Sequence, residues 1–158
     1  MNNILKSGLA AMAVAALAAC GGGDSSEATD AYVGTWKSVC YSTDSSNGTV
    51  YTKRIRTLTK ASSTQLVGST VLDSVFSDAA CANAAGTWSS NGAAVTNYAL
   101  GAKAQFLGAN TDSYVATFAD GTSLPGYMVV DGVRLYMADG ANVATATGWG
   151  KYSPYTKQ

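Results

Sequence analysis

The chain has 158 residues but no histidine, only two prolines and few charged side chains. Without an imidazole group, Ser-His-Asp catalysis, Cys-His catalysis and histidine-based metal sites are excluded. Charged residues make up 13% of the chain, and ten basic residues are balanced by ten acidic ones. This balance excludes the basic footprint of a nucleic-acid-binding protein. We therefore expect no metal, no cofactor, no nucleic-acid partner and no enzymatic activity.

The first nineteen residues are typical of a secretory signal peptide. Lys6 supplies a basic flank, and residues 7–19 are apolar or small throughout. This run is shorter than the roughly 20 residues that a helix needs to span a bilayer. Its length and its basic flank match those of a signal peptide, so we expect residues 1–19 to be removed rather than folded.

The segment Leu17-Ala18-Ala19-Cys20 resembles the lipobox of bacterial lipoproteins. The resemblance implies that the chain is cut before Cys20, which then carries a diacylglyceryl group on sulfur and an acyl chain such as palmitate on its amino group. Two or three acyl chains hold a protein on a membrane far more firmly than one. Gly21 stands where Asp would favour the inner membrane. The resemblance therefore implies the outer membrane, on its periplasmic or its cell-surface face.

Lipidation of Cys20 leaves Cys40 and Cys81 as the remaining cysteines. The compartment outside the cytoplasm is oxidising, which favours a disulfide between them; two separate buried thiols are the alternative. Residues 20–31 follow the lipidation site and are Gly/Ser-rich and acidic, which predicts a flexible tether. We expect residues 32–158 to form a single domain.

The pattern of residues 32–158 predicts an all-β domain. The clearest hairpin joins residues 127–130 to residues 133–137 through Asp131-Gly132, because Asp-Gly favours the type I′ turn. Similar Val/Thr/Tyr/Phe-rich runs predict further strands, at 33–41, 49–59, 65–76 (one bent strand or two, with Gly68 as the bend), 88–90, 94–107 and 113–119. An open antiparallel sheet of this size would leave sticky edges. We expect closure into a small barrel of about eight strands, with a two-sheet sandwich as the alternative.

Lys53, Arg54 and Arg56 interrupt the alternation of the second predicted strand. An edge position would explain these charges, because charged side chains prevent pairing with another sheet. The alternative is a basic patch for an anionic ligand. We favour the edge strand.

Gly34-Thr35-Trp36, at the start of the first predicted strand, resembles the Gly-x-Trp signature of lipocalins and related small barrels. The resemblance implies that Trp36 closes the floor of the barrel and that a basic residue packs on it, for which Arg134 is the candidate. A second resemblance concerns architecture alone. Small envelope lipoproteins that inhibit C-type lysozyme are similar in combining an eight-stranded barrel with one disulfide.

Aromatic residues are the strongest candidates for recognition, since tyrosine and tryptophan combine an apolar body with a polar tip. Packing in an ordinary β-core is the alternative. The candidate ligand-binding residues are Trp36, Trp88, Tyr98, Tyr114 and Trp149. The aromatic C-terminal segment 148–155 shows little strand pattern, so it would either plug one end of the barrel or stay exposed for a partner.

We therefore expect a non-enzymatic, membrane-anchored envelope lipoprotein that binds a small apolar or glycan ligand, or a protein partner. The alternative function is an envelope inhibitor that acts on a lysozyme or a protease through exposed loops at 42–48, 77–86 and 108–112. A carboxylate pair for acid/base chemistry, Asp73 and Asp78, is the remaining catalytic candidate; we favour a chance spacing.

Overall fold

The structure is a computed structural model that describes residues 27–45, 48–68, 71–89 and 95–158. The predicted signal peptide, Cys20 and the first part of the predicted tether lie outside the described residues. Within the described ranges, no helix has the length and apolarity needed to cross a membrane.

Eleven strands and two short 3₁₀ turns make up the described part of the chain. The turns are Asp30–Tyr32 and Val143–Thr145. The strands are β1 (Gly34–Ser38), β2 (Tyr41–Ser45), β3 (Gly48–Ser62), β4 (Gln65–Gly68), β5 (Leu72–Phe76), β6 (Ala84–Ser89), β7 (Val95–Phe106), β8 (Ala109–Phe118), β9 (Ser123–Asp131), β10 (Arg134–Asp139) and β11 (Tyr155–Lys157). The run at 65–76 is two strands, and Gly68 ends the first. The predicted hairpin between residues 127–130 and 133–137 is confirmed, but its turn is not the expected type I′ turn on Asp131-Gly132. Asp131 pairs with Arg134, so the turn residues are Gly132 and Val133, and of these two only Gly132 has a positive φ, of 58°.

Eight of the strands close into an antiparallel barrel. In chain order they are β1, β3, β4, β7, β8, β9, β10 and β11. Each strand pairs with the next, and β11 pairs back with β1. This is an up-and-down meander, in which closure removes the edges of the sheet. The predicted fold class, a small lipocalin-like barrel, is therefore confirmed over the sandwich alternative.

The remaining strands extend β3 beyond the barrel. β3 is 15 residues long, and its C-terminal part pairs with β1 and β4 in the barrel. Its N-terminal part lies between β2 and β5, and β5 pairs with β6. We call β2, β5, β6 and this part of β3 the side sheet. The edge-strand prediction for the second strand was therefore wrong, because β3 has a neighbour on both edges.

The disulfide between Cys40 and Cys81 is present, with 5.9 Å between the Cα atoms. Cys40 lies in the break between β1 and β2, which follow one another along the same edge of β3. Cys81 lies in the loop that connects β5 to β6. The disulfide therefore ties the outer strands of the side sheet to the point where β3 leaves the barrel.

Tyr32 and Trp36 fill one end of the barrel. The Trp36 indole is fully buried and donates from Nε1 to the Tyr32 carbonyl oxygen over 2.7 Å. The Tyr32 hydroxyl donates to Asp112 Oδ2 and to the Met128 carbonyl oxygen. Trp36 therefore occupies the closed end, the place that the lipocalin resemblance implies.

The basic side chain on Trp36 is Lys157, not the expected Arg134. Lys157 lies directly opposite Trp36 in the β1–β11 register, and its Nζ is 5.3 Å from the centre of the indole ring. Arg134 is exposed at the start of β10, opposite Asp131 and Thr156. The sequence could not reveal this contact because the pairing of β11 with β1 joins the two ends of the domain.

The folded part begins within the predicted tether. Thr29 is fully buried, and its Oγ1 donates to the Ser62 carbonyl oxygen over 3.0 Å. Glu27 and Asp30 both form salt bridges with Lys60, at 2.7 Å each. Residues 27–31 are therefore part of the domain rather than the end of a free spacer.

The barrel is filled mainly by aromatic and aliphatic side chains. Its fully or almost fully buried residues include Trp36, Leu58, Leu66, Tyr98, Tyr114, Met128, Leu135 and Tyr155. Gly126 makes room for one of them, since a Cβ there would lie 2.2 Å from Cζ of the cross-strand Tyr114. The interior is therefore a packed core.

We expect Cys40→Ser to lower the melting temperature by well over 5 °C, measured by circular dichroism in oxidising buffer. A disulfide that closes a loop of about 40 residues stabilises a fold by about 4 kcal/mol in the chain-entropy model. The Cys40→Ser/Cys81→Ser variant is the control without a free thiol, and reduced wild type should melt with it. An unchanged melting curve for Cys40→Ser would contradict this role of the disulfide.

Candidate functional site

A cavity of about 170 Å³ opens at the end of the barrel away from Tyr32. The register of β7 and β8 shows the direction. Val95 pairs with Phe118 at the cavity end, whereas Lys103 pairs with Asp112 towards the closed end. Val71, Val95, Phe118 and Met137 supply apolar wall. The polar and charged part of the wall comes from Arg54, Arg56, Asp139, Tyr152 and Tyr155.

β3 delivers the two arginines to this cavity. Side chains alternate between the two faces of a strand, so Arg54 and Arg56 share a face with Thr52 and Leu58. Thr52, Arg56 and Leu58 are all buried. The face that holds Leu58 in the barrel core therefore also carries both guanidinium groups.

Arg54 is neutralised within the protein. Its Nε and Nη2 donate to the two carboxylate oxygens of Asp73 over 2.8 and 2.7 Å, and Tyr152 stacks on the guanidinium with 3.7 Å to the ring centre. Burial opposes the charged form, but the hydrogen bonds and charge of Asp73 outweigh it and raise the pKa of Arg54 above its usual value. The charge of Arg54 on the cavity wall is thus already paired within the protein.

Arg56 is buried more deeply and has no such counterion. Its side chain is 6% exposed, and its Nη1 donates to the Tyr98 hydroxyl over 2.7 Å and to Met137 Sδ over 3.2 Å. The guanidinium carbon lies 5.6 and 5.5 Å from the ring centres of Tyr98 and Tyr155. Nε has no hydrogen-bond partner in the described part of the chain, and none of the salt bridges found there involves Arg56.

The tyrosines around Arg56 cannot supply the missing negative charge at neutral pH. Burial raises the pKa of Tyr98 and of Tyr114, and it raises the pKa of Tyr155 to about 12. All three phenols therefore stay neutral near pH 7. They offer hydrogen bonds and ring faces, but the charge of Arg56 remains uncompensated by them.

Asp139 is the acidic side chain on the cavity wall. It is exposed at the end of β10, and its Oδ2 accepts a hydrogen bond from the Tyr114 hydroxyl over 3.4 Å. Asp139 therefore contributes a negative field to the cavity without direct contact with the guanidinium of Arg56.

The structure brings together three of the five aromatic residues predicted to bind a ligand, and the rings of Tyr98 and Tyr114 meet edge-on with 5.5 Å between their centres. Trp36, Tyr98 and Tyr114 are packed in the barrel core, and Trp88 lies on β6 in the side sheet. Trp149 packs outside the barrel against Phe106 and Tyr136, with ring centres 5.1 and 5.5 Å apart. The role of these residues in binding stays a prediction, but none of the four with described side chains lines the Arg56 cavity.

The C-terminal segment takes neither of its two predicted roles as a whole. Tyr155 begins β11, which closes the barrel between β1 and β10. Just before it, Tyr152 lines the cavity and meets Tyr41 edge-on, with 4.4 Å between the ring centres. One segment therefore completes the barrel wall and forms part of the cavity rim.

Asp73 and Asp78 have separate structural partners. Asp73 is buried against Arg54. Asp78 accepts backbone N–H groups of Asn83, Ala82 and Ala80, and these hydrogen bonds lower the pKa of its carboxyl group. These contacts account for both carboxylates without acid/base chemistry. Within the described residues, no group of three or more His, Cys, Asp or Glu side chains is placed to hold a metal ion.

A polar cluster also lies at the closed end, beside a cavity of about 460 Å³. Asp112 is buried there, and it pairs with Lys103 at 2.8 Å and accepts the Tyr32 hydroxyl. Burial and the hydrogen bond to Asp112 raise the pKa of Tyr32. Because these groups satisfy one another, this cluster is a weaker candidate than Arg56.

The sequence singles out the basic residues but does not predict their position on the cavity wall. Asp139 precedes Gly140 and reads as a turn residue, and the strand that contains Tyr155 was missed altogether. The interrupted alternation at Lys53, Arg54 and Arg56 was the one available signal.

No protein family, no curated protein and no solved structure matches the chain.

We expect the buried tyrosines to ionise only above pH 10 in the folded protein. Their folded-state pKa values exceed the unfolded value of about 10, so their contribution to stability is intact below pH 10 and is lost as the pH rises towards 12 and beyond. Absorbance at 295 nm measures the ionisation, and Tyr155→Phe should remove a step near pH 12. Ionisation of all nine tyrosines near pH 10 in the folded state would contradict this.

Proposed function

We propose that the protein is a non-enzymatic lipoprotein of the bacterial outer membrane whose barrel binds a small ligand in the cavity at its open end. The observation that carries the binding role is this cavity, in which apolar walls surround a buried Arg56 that forms no salt bridge in the described residues. Ligand sites typically combine apolar walls with a few placed polar groups. The size of about 170 Å³ favours one small molecule over a lipid chain or an extended glycan.

The envelope location rests on the lipobox resemblance of residues 17–20. If Cys20 is lipidated, only residues 21–26 separate the anchor from the part of the chain that packs on the barrel. Six extended residues span at most about 20 Å. The proposal therefore places the barrel close to the membrane surface.

An inhibitor that acts through exposed loops receives less support. Residues 109–112, predicted as a loop, begin β8, and Thr111 and Asp112 are buried. Residues 42–45 belong to β2 and residues 84–86 to β6. The loops that the hypothesis requires are therefore shorter than expected at all three positions.

We expect Cys20→Ala to abolish incorporation of labelled palmitate and to release the protein from the membrane fraction. The lipobox resemblance implies a diacylglyceryl group on the thiol of Cys20, which Ala lacks, and without lipid chains the nearly neutral chain has no electrostatic attraction to lipid. The control is Cys40→Ser, which removes a cysteine outside the lipobox and should still incorporate palmitate. Equal labelling of Cys20→Ala and wild type would contradict the anchor.

The binding role predicts an adduct in native mass spectrometry of residues 22–158, exported to the periplasm and purified gently. Its mass should be at most about 150 Da, because an engineered cavity of about 150 Å³ holds a molecule the size of benzene. Val95→Phe, which fills the cavity wall, should lose the adduct while it keeps a cooperative melting curve. A bare mass for wild type would contradict ligand binding and would point to a protein partner.

A further inference from the structure

The charge of Arg56 indicates what kind of ligand the cavity holds. A buried charge is costly unless it is paired and hydrogen-bonded. In the described part of the chain, its hydrogen-bond partners are the hydroxyl of Tyr98 and the sulfur of Met137, both neutral groups. Arg56 nevertheless lies on the cavity wall rather than in a sealed core. An anion in the cavity would compensate this charge.

We propose that the cavity binds a small organic oxyanion, with its carboxylate or phosphate group against Arg56 and an apolar body against the aliphatic and aromatic wall. This inference rests on the proposed function, since it names the chemical class of that ligand. A planar guanidinium matches the geometry of carboxylate and phosphate oxygens, and hydrogen bonds between two charged groups are the strong ones.

The contrast with Arg54 supports the assignment to Arg56. Both side chains come from the same face of β3, two residues apart. Arg54 already has both oxygens of Asp73 and a stacked Tyr152, so a ligand would have to compete with the protein for it. Arg56 lies on the same cavity wall, its buried Nε–H has no hydrogen-bond partner, and none of the salt bridges in the described residues involves it.

The wall sets the size and shape of the rest of the ligand. Val71, Val95 and Phe118 lie on the same cavity as Arg56, and they would contact an apolar body. The volume of about 170 Å³ is comparable with the engineered cavity of about 150 Å³ that binds benzene. One ring or a short branched chain fits this space together with the charged group.

Asp139 allows a second, independent test of the charge of the ligand. Its carboxylate lies on the wall of the same cavity, so it repels an anion and disfavours ligands of high negative charge. Removing this charge should strengthen the binding of an anion and leave a neutral molecule of the same shape unaffected. Because Asp139 is exposed, its replacement by Asn keeps the fold.

The test is equilibrium dialysis of the full-length lipoprotein, purified from membranes in a nonionic detergent, against labelled probes. Benzoate is the organic oxyanion, benzamide is its neutral counterpart, and inorganic phosphate is an anion without an apolar body. The variants are Arg56→Met, Arg56→Lys and Asp139→Asn. Arg134→Met is the matched control, since Arg134 is an exposed arginine outside the cavity.

We expect saturable binding of one benzoate per chain, with benzamide and Arg56→Met each weaker by about tenfold or more, the effect of one charged hydrogen bond. Arg56→Lys should retain part of the affinity. Asp139→Asn should bind benzoate severalfold more tightly and benzamide unchanged, and Arg134→Met should equal wild type. If Arg56→Met fails to fold, the Asp139 variant and the benzoate–benzamide pair still decide the question.

Equal binding of benzoate and benzamide, or unchanged benzoate binding by folded Arg56→Met, would overturn the inference. The inference would also be overturned if no saturable binding occurred at benzoate concentrations up to roughly 10 mM, since even weak specific binding has a dissociation constant of about 1 mM. If inorganic phosphate bound as tightly as benzoate, the claim that the cavity wall contacts an apolar part of the ligand would be overturned. In each case an adduct in native mass spectrometry would leave the proposed function standing, whereas a bare mass would contradict that function itself.

Discussion

Pairing along both edges of β3 is the constraint on which the rest of the structure depends. This strand lies between β1 and β4 inside the barrel and between β2 and β5 outside it. Its register is fixed because a shift by one residue would turn Leu58 out of the barrel core. The disulfide from Cys40 holds the junction of the two sheets. From Thr52 to Leu58, the side chains on the inner face of β3 are therefore buried or half-buried, whatever their polarity.

Two arginines on that face are accommodated in different ways. Arg54 is compensated by Asp73 from the neighbouring β5, which lies directly opposite it in the strand register. One step further along the face, Arg56 enters the barrel proper, where phenols and a thioether are its hydrogen-bond partners. The two ends of the barrel also differ in whether their charged side chains are paired. Lys103 and Asp112 satisfy each other at the closed end, whereas the open end keeps a cation beside a cavity.

Local patterns predicted the strands well because turn chemistry is local. The hairpin at Gly132 formed where it was predicted, although its turn lies one residue later than Asp131-Gly132, and the alternation around residues 113–119 marked the core of β8. Predictions failed where distant segments meet. β11 has three residues and forms only between β1 and β10, so nothing within it predicts a strand. The edge interpretation of β3 failed for the same reason, since the partners on its second edge lie elsewhere in the chain.

The candidate site shows the same division. Composition alone excluded imidazole chemistry and a basic nucleic-acid surface. The spacing of turns and apolar runs determined an all-β domain, and the pairing of β11 with β1 decided for a barrel over a sandwich. The residues Arg54 and Arg56 were visible as an interruption of a pattern. Only the tertiary structure decided that one is paired and the other is not, because the pairing depends on which strand lies beside each arginine. Tyr155 reaches Arg56 across the closed barrel, and Asp139 lies on the wall of the same cavity. Their positions in the sequence do not predict this proximity.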